Sequence, residues 1–209
     1  KQLIRVLAQI DKDRTDGHTE QQRGQVPNRS KCGTEQHCGD RYFSETRFGP
    51  MVHALLFPGQ ENSGKLVSLL KAEARALARE RGLDTVLCDG SPGVGCPVIS
   101  SLSGASLAVG VVEPTPSGRH DFLRVADLCR HFRVPLAVII NKADLNEREA
   151  DAIAGECETR GDVLLGRLPF DPVVTKALAR RKALTEFDNP VGNRLKDMWS
   201  ALQKLNVRR

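Results

Sequence analysis

Aromatic side chains are scarce in this sequence: seven Phe, one Trp and one Tyr among 209 residues, 4% in all. That poverty argues against the stacking platforms on which single-stranded nucleic acids are held. Long apolar runs are also missing. The best stretches, Leu107 to Val112 and Val134 to Ile140, fall far short of the roughly 20 apolar residues a helical membrane span needs. The apolar run from Leu3 is broken by Arg5 and followed by a charged segment, so no signal peptide is expected and the expected location is cytoplasmic. Neither charge sign dominates: 31 basic residues face 26 acidic ones for a net charge of +5. Such a mild, dispersed excess permits anionic ligands without marking a nucleic-acid face, and no nucleic-acid partner is expected. The six cysteines (32, 38, 88, 96, 129 and 157) are scattered. Without a secretory signal they read as reduced thiols, not as a disulfide framework.

What is present divides near residue 47. Residues 1–47 are polar, and Asp11 to Cys38 carries almost no large apolar side chain to offset the entropy of ordering. This part is expected to be mostly irregular, with a short helix or strand over Gln2 to Ile10. The first residue is Lys1, not Met, which leads us to expect a piece of a longer chain.

From Phe48 onward short apolar runs alternate with amphipathic segments. Strands are expected over Met51–Phe57, Thr85–Cys88, Ser106–Val112, Pro135–Ile140 and Val163–Leu168. Helices are expected over Ser63–Arg81, Pro97–Ser103, Ser117–Phe132, Glu147–Thr159, Asp171–Arg181 and Pro190–Leu205, the last burying Leu195, Met198, Trp199 and Leu202. Continuous apolar strands alternating with helices imply an α/β fold, a mostly parallel sheet with helices on both faces. Ligands of such sheets sit at the carboxyl ends of the strands.

Three strand-end loops carry chemistry. Asp89 follows the run Thr85-Val-Leu-Cys and precedes Gly-Ser-Pro92-Gly93. A carboxylate there can hold a water on Mg²⁺, and Gly93 lets backbone N–H approach a terminal phosphate; the plainer reading is a turn cap. Asn141-Lys-Ala-Asp144 after the next strands suits a base-reading loop, in which Asp accepts from guanine or Asn meets the adenine amine; the plainer reading is a helix cap. Pro169-Phe170-Asp171 can lay backbone and ring against a purine, or simply start a helix, with Asp171 as cap and Pro172 at the first position.

The ordered series Arg47-Phe-Gly-Pro-Met-Val-His-Ala, Glu61-Asn-Ser-Gly-Lys-Leu-Val, Asp89-Gly-Ser-Pro-Gly-Val-Gly-Cys-Pro-Val, Val112-Glu-Pro-Thr-Pro-Ser-Gly-Arg-His-Asp, Ile140-Asn-Lys-Ala-Asp-Leu and Leu168-Pro-Phe-Asp resembles the C-terminal part of MinD/ParA/Mrp-type deviant Walker P-loop ATPases. It is most similar to the MinD-superfamily group with an inserted ferredoxin domain, the cobyrinic acid a,c-diamide synthase-like proteins. The resemblance covers about Phe48 to Leu205. It implies a MinD-like P-loop NTPase fold, ATP and Mg²⁺ as ligands, a homodimer, and an iron–sulfur or redox partner protein. It further implies that Asp89 is catalytic and organises Mg²⁺ through water, that Pro92 and Gly93 sense the terminal phosphate, and that Asn141, Asp144, Pro169, Phe170 and Asp171 lie at the base.

Departures from the pattern shape the rest. The family's Lys-Gly-Gly-x-Gly-Lys loop does not occur in the 209 residues. Residues 1–47 would be the remnant of a ferredoxin-type insert and 48–209 the nucleotide-binding domain. Cys32 and Cys38 fall where that insert would end, yet their spacing is not that of a [4Fe-4S] run, so a solvated segment is favoured over cluster ligation. Gly59-Gln-Glu-Asn-Ser-Gly64-Lys65 imitates a P-loop, but Leu66 stands where the Mg²⁺-binding hydroxyl belongs and Glu61 would oppose phosphate. A helix start is the better reading. The expected function is an ATP-binding ATPase domain coupling nucleotide switching to iron–sulfur or electron-transfer chemistry, inactive as this chain alone. The alternatives are a non-catalytic dimerisation module and, on Asn141 to Asp144 only, a GTPase.

Overall fold

The computed structural model describes residues 4–9, 28–31, 37–57, 64–91 and 93–205; up to residue 39 only the strand pairing is described. Eight strands and six helices follow in the order β1 (Ile4–Gln9), β2 (Asn28–Lys31), β3 (His37–Thr46), β4 (Gly49–Leu56), α1 (Gly64–Arg81), β5 (Thr85–Asp89), α2 (Cys96–Leu102), β6 (Leu107–Val112), α3 (Pro116–His131), β7 (Leu136–Ile140), α4 (Glu147–Arg160), β8 (Val163–Arg167), α5 (Pro172–Ala179) and α6 (Pro190–Lys204). Single 3₁₀ turns sit at Ala143–Leu145 and Leu184–Glu186.

The larger sheet has the order β5-β1-β6-β7-β8. Strands β6, β7 and β8 pair in parallel, whereas β1 is antiparallel to both of its neighbours. Two reversals across β1 leave β5 running the same way as β6, β7 and β8. All four therefore end at one edge of the sheet.

The middle strands are covered on both sides, as their unbroken apolar runs imply. Ala108 and Val112 of β6, with Leu136, Val138 and Ile140 of β7, point into a core closed by Leu102 of α2, Phe122 and Val125 of α3, and Ile153 of α4. The intervening Leu107, Val109 and Ala137 meet Leu202 of α6 on the opposite face. Helix α6 buries Val191, Met198 and Leu202. Trp199, expected inside, is 41% exposed. It lies about 100° around the helix from Met198, outside the buried stripe. No helix among the described residues is long and apolar enough to cross a membrane.

A second, antiparallel sheet of order β2-β3-β4 was not foreseen. Polarity suggested irregular chain up to Arg47, but His37–Thr46 forms a ten-residue strand. Its polar composition is that of a hairpin strand, whose stability comes from the ladder to β4 and not from a buried run. The turn at Arg47-Phe48 is closed by Gly49 at φ 124° and by Thr46 Oγ1 donating to Gly49 O at 2.7 Å. Arg41 pairs with Glu73 and Arg81 with Glu45, which ties the hairpin to α1. At the turn, Arg47 donates to Arg181 O at 2.8 Å and makes a two-pronged pair with Glu186 at 3.2 and 3.0 Å.

Helix α1 is joined to α2 by a buried cation. Lys71 is 5% exposed, and its ammonium donates to Ser100 O, Ser101 O and Ser103 O at 2.9, 2.6 and 2.8 Å. These are carbonyls at a helix end that lack helical partners, so three donors meet three acceptors. Arg75, one turn on, donates to Gly104 O. Desolvation pulls the Lys71 ammonium below the usual lysine range.

Two tests follow from these joints. Lys71→Met keeps the apolar stem but strands three buried carbonyls; urea titration is expected to show a loss of about 1–3 kcal/mol. Glu186, held below the usual carboxylate range chiefly by Arg47, stabilises the docked turn above pH 4.5 and loses that contribution as pH falls below it. The pH dependence of Tm should therefore flatten on the acid side in Glu186→Gln.

Candidate functional site at the strand ends

The carboxyl edge shared by β5 to β8 gathers most of the residues singled out in the sequence. Asp89 is the last residue of β5 and is exposed. Gly93 lies in the loop that follows, at φ 88°, with open space around its α-carbon; only glycine adopts that backbone without strain. Pro92 lies outside the described residues. Between β6 and α3 stand half-buried Glu113 and the cap Thr115, whose hydroxyl accepts from Gly118 N at 2.9 Å.

The loops after β7 and β8 are bound into one piece. Asn141 N donates to Val112 O at 2.8 Å, Leu168 N to Ile140 O at 2.8 Å, and Ala143 N to Leu168 O at 2.9 Å. The Asp144 carboxylate then accepts from Phe170 N at 2.6 Å. Asn141, Asp144, Pro169 and Phe170 are thus brought together. The Phe170 ring is 54% exposed, free to meet a flat ligand. Among the described residues no hydrogen bond engages the Asn141 side-chain amide. Asp171 serves as the N-cap of α5, accepting from Val173 N at 2.8 Å, and Asn146 caps α4 through Glu149 N at 3.2 Å.

One feature of this edge escaped sequence reasoning. Lys142 has a left-handed backbone, φ 55°, and its ammonium pairs with Glu113 at 2.7 Å. Strained backbone of this kind concentrates at functional sites. A left-handed lysine has no sequence signature, because the conformation is imposed by the loop bonds on either side of it. The Lys71 clamp was equally hidden, since a lysine among the charged residues of α1 reads as solvated.

The imitation P-loop is explained by packing where it is described. Gly64 opens α1, and a β-carbon there would lie 2.5 Å from Ser100 Oγ and 3.2 Å from Cys96 O. Glycine is needed for the close approach of two helices. Lys65 is exposed, and Gly59 to Ser63 lie outside the described residues.

Cys32 lies outside the described residues and Cys38 is described only as a member of β3. No group of three or more His, Cys, Asp or Glu side chains among the described residues is arranged to hold a metal. Among the described residues Cys88, Cys96, Cys129 and Cys157 are free thiols. Burial pushes Cys129 up to about 12 and Cys157 up to about 11, which keeps both protonated and inert.

Fold and edge together define an α/β protein of the kind that receives ligands at the carboxyl ends of its strands. The structure is similar to the MinD cell division protein of Aquifex aeolicus, with a TM-score of 0.57 and 18% identity, covering 80% of this chain and 70% of that one. At that identity the likeness is one of fold, and the fold is MinD-like. An uncharacterized protein of Methanocaldococcus jannaschii is 29% identical over 155 residues, 74% of this chain. The chain spans about half the length of that relative, 51%. No protein-family model matches the chain.

The Asp144 staple can be tested without ligand. Asp144→Ala frees the Phe170 amide and is expected to cost about 1–2 kcal/mol in thermal or urea unfolding, with faster hydrogen exchange at residues 168–171.

Proposed function

We propose that this chain is the nucleotide-binding part of a MinD-like ATPase and that ATP with Mg²⁺ lies along the edge where β5 to β8 end. The observation that carries the reading is the pinned pair of loops at Asn141–Asp144 and Leu168–Asp171, set on the same edge as Asp89 and Gly93. The donor set suits the ligand. Asp89 offers a carboxylate at a strand end, and hard-cation sites of this type bind through water and one or two carboxylates. Gly93, with Pro92 beside it in sequence, gives a loop whose N–H groups can approach a terminal phosphate. Asn141 presents a free amide, and Pro169 and Phe170 an apolar wall, to a purine.

The same loops favour adenine over guanine. A guanine-reading Asp needs both carboxylate oxygens for the base, but one oxygen of Asp144 already accepts the Phe170 amide. Asp144 and Asp171 therefore act by holding the loop that carries Phe170. When bound, Mg²⁺ would neutralise phosphate charge; Asp89 would orient its water shell. A homodimer formed across the nucleotide and coupling to an iron–sulfur or redox partner complete the proposal on the sequence resemblance alone. A dimerising module without catalysis is the competing reading.

Because the 209 residues contain no Lys-Gly-Gly-x-Gly-Lys loop, several charge-assisted phosphate contacts are missing, and weak Mg²⁺-ATP binding with negligible turnover is expected for this chain. Rapid turnover abolished by Lys65→Ala would overturn that. Competition titration should favour ATP over GTP, and a clear GTP preference lost in Asp144→Ala would sink the assignment. In a protein that supplies the phosphate loop, Asp89→Asn should keep its nucleotide-free Tm and lose Mg²⁺-dependent hydrolysis. Unchanged hydrolysis would make Asp89 a turn residue, with nothing beyond a cap's roughly 0.5–2 kcal/mol.

A further inference from the structure

Resting on the nucleotide reading above, we infer that Lys142 and Glu113 are positioning residues for base recognition. Their ion pair clasps the loops after β6 and β7 together and so aims the Asn141 side-chain amide at the purine, without itself touching the ligand.

Backbone strain singles out Lys142. Three residues other than glycine are left-handed among the described residues: Arg133 at φ 55°, Lys142 at φ 55° and Arg181 at φ 53°. Two of these have an ordinary cause. Arg133 and Arg181 follow the ends of α3 and α5, where the next amides turn back onto the helix, Val134 N to Cys129 O at 2.9 Å and Lys182 N to Ala177 O at 3.0 Å. Left-handed residues commonly close helices in this way. Lys142 closes no helix. The amide before it, Asn141 N, is bound to Val112 O of β6, and the amide after it, Ala143 N, to Leu168 O beyond β8. Within two residues the chain switches from one neighbouring strand to the other, and Lys142 takes the left-handed turn between them. Glycine would turn there without steric cost; lysine does not.

The side chain gives the lysine a purpose. Its ammonium lies 2.7 Å from Glu113, with the two side chains 36 and 39% exposed. Ion pairs open to water to that degree add little stability. Stability thus accounts for neither the strained lysine nor its partner. Placement does. The bond from Asn141 N to Val112 O and the pair from Lys142 to Glu113 are consecutive rungs between the same two loops. Glu113 is anchored in turn, its carbonyl accepting from Thr115 N at 2.8 Å, and Thr115 caps α3 through Gly118 N. Asn141 stands between a backbone rung and a side-chain rung. An amide held by fixed neighbours loses less freedom on meeting a base than one on a loose loop.

Adenosine, which needs no phosphate loop, is the probe. Titrated into the isotope-labelled 209-residue chain, it should shift the NMR signals of the Asn141 side-chain amide and of Phe170 N–H. Glu113→Ala and Lys142→Gly should each weaken adenosine about three- to tenfold, as one misaligned hydrogen bond would. Melting temperature separates this from damage to the fold. Glu113→Ala should melt within about 2 °C of wild type, and Lys142→Gly at or above it, because the backbone strain is relieved. The swapped pair, Glu113→Lys with Lys142→Glu, should return affinity to within about twofold of wild type. Arg119→Gln breaks the neighbouring Arg119–Glu149 pair, 3.4 Å, and should change affinity by less than about twofold. A wild-type chain that binds no adenosine overturns the nucleotide reading and the clasp with it. Wild-type binding with unchanged affinity in both single variants overturns the clasp alone. So does a loss in Arg119→Gln as large as theirs, or a swapped pair that recovers nothing. A loss in Lys142→Gly roughly tenfold beyond that in Glu113→Ala also overturns it, since the lysine would then be a ligand contact.

Discussion

Burial of β6 and β7 on both faces is the constraint from which the rest of the molecule takes its geometry. Leu136, Val138 and Ile140 face α2, α3 and α4, while Ala137 and the β6 residues Leu107 and Val109 face α6. A strand with no solvent face cannot slip by one residue without driving its apolar set into the wrong layer. The register of β6 on β7 is therefore rigid, and so are the points where the chain leaves the sheet. Val112 and Ile140 end opposite each other. The loops that follow inherit that alignment through Asn141 N to Val112 O and Leu168 N to Ile140 O.

Stability and chemistry meet at this edge in a specific way. Two of the carboxylates expected at the base, Asp144 and Asp171, spend hydrogen-bonding capacity on the backbone of the same loops. Groups left available are the Asn141 amide and the Phe170 ring. Lys142, with its left-handed backbone and its pair to Glu113, sits between the loops of β6 and β7. Surrounding hydrogen bonds hold that strained backbone in place, which would suit the proposed nucleotide edge, since a loop that must reorganise loses affinity in doing so.

Polar joints bind the outer parts to this frame. The Lys71 ammonium closes three carbonyls at the end of α2. Arg47 and Arg81 hold the hairpin to the loop after α5 and to α1. Such joints are directional and cannot be replaced by apolar packing of equal volume, because the carbonyls they satisfy would remain. They also bring the hairpin tip at Arg47 against the end of α5, joining segments 134 residues apart in the chain.

Periodicity was enough to locate the six α-helices and the five strands described after Phe48, because apolar spacing along a segment is dictated by which side it buries. It was likewise enough to bring Asp89, Asn141 and Pro169 to strand ends, since a polar or turn residue directly after an apolar run marks where the chain leaves the sheet. The hairpin strand His37–Thr46 was not legible: half-exposed antiparallel strands are stabilised by a partner strand, and a single segment does not display its partner. Nor could the chain order reveal that β1 runs antiparallel between β5 and β6, which is a choice among sheet positions. The bond from the Phe170 amide to Asp144, the buried lysine and the strained Lys142 were decided by tertiary structure alone, for one physical reason. A side chain's hydrogen-bonding partner depends on what folding brings within 3 Å of it, and neighbours in space such as Asp144 and Phe170 leave no mark on their spacing in sequence.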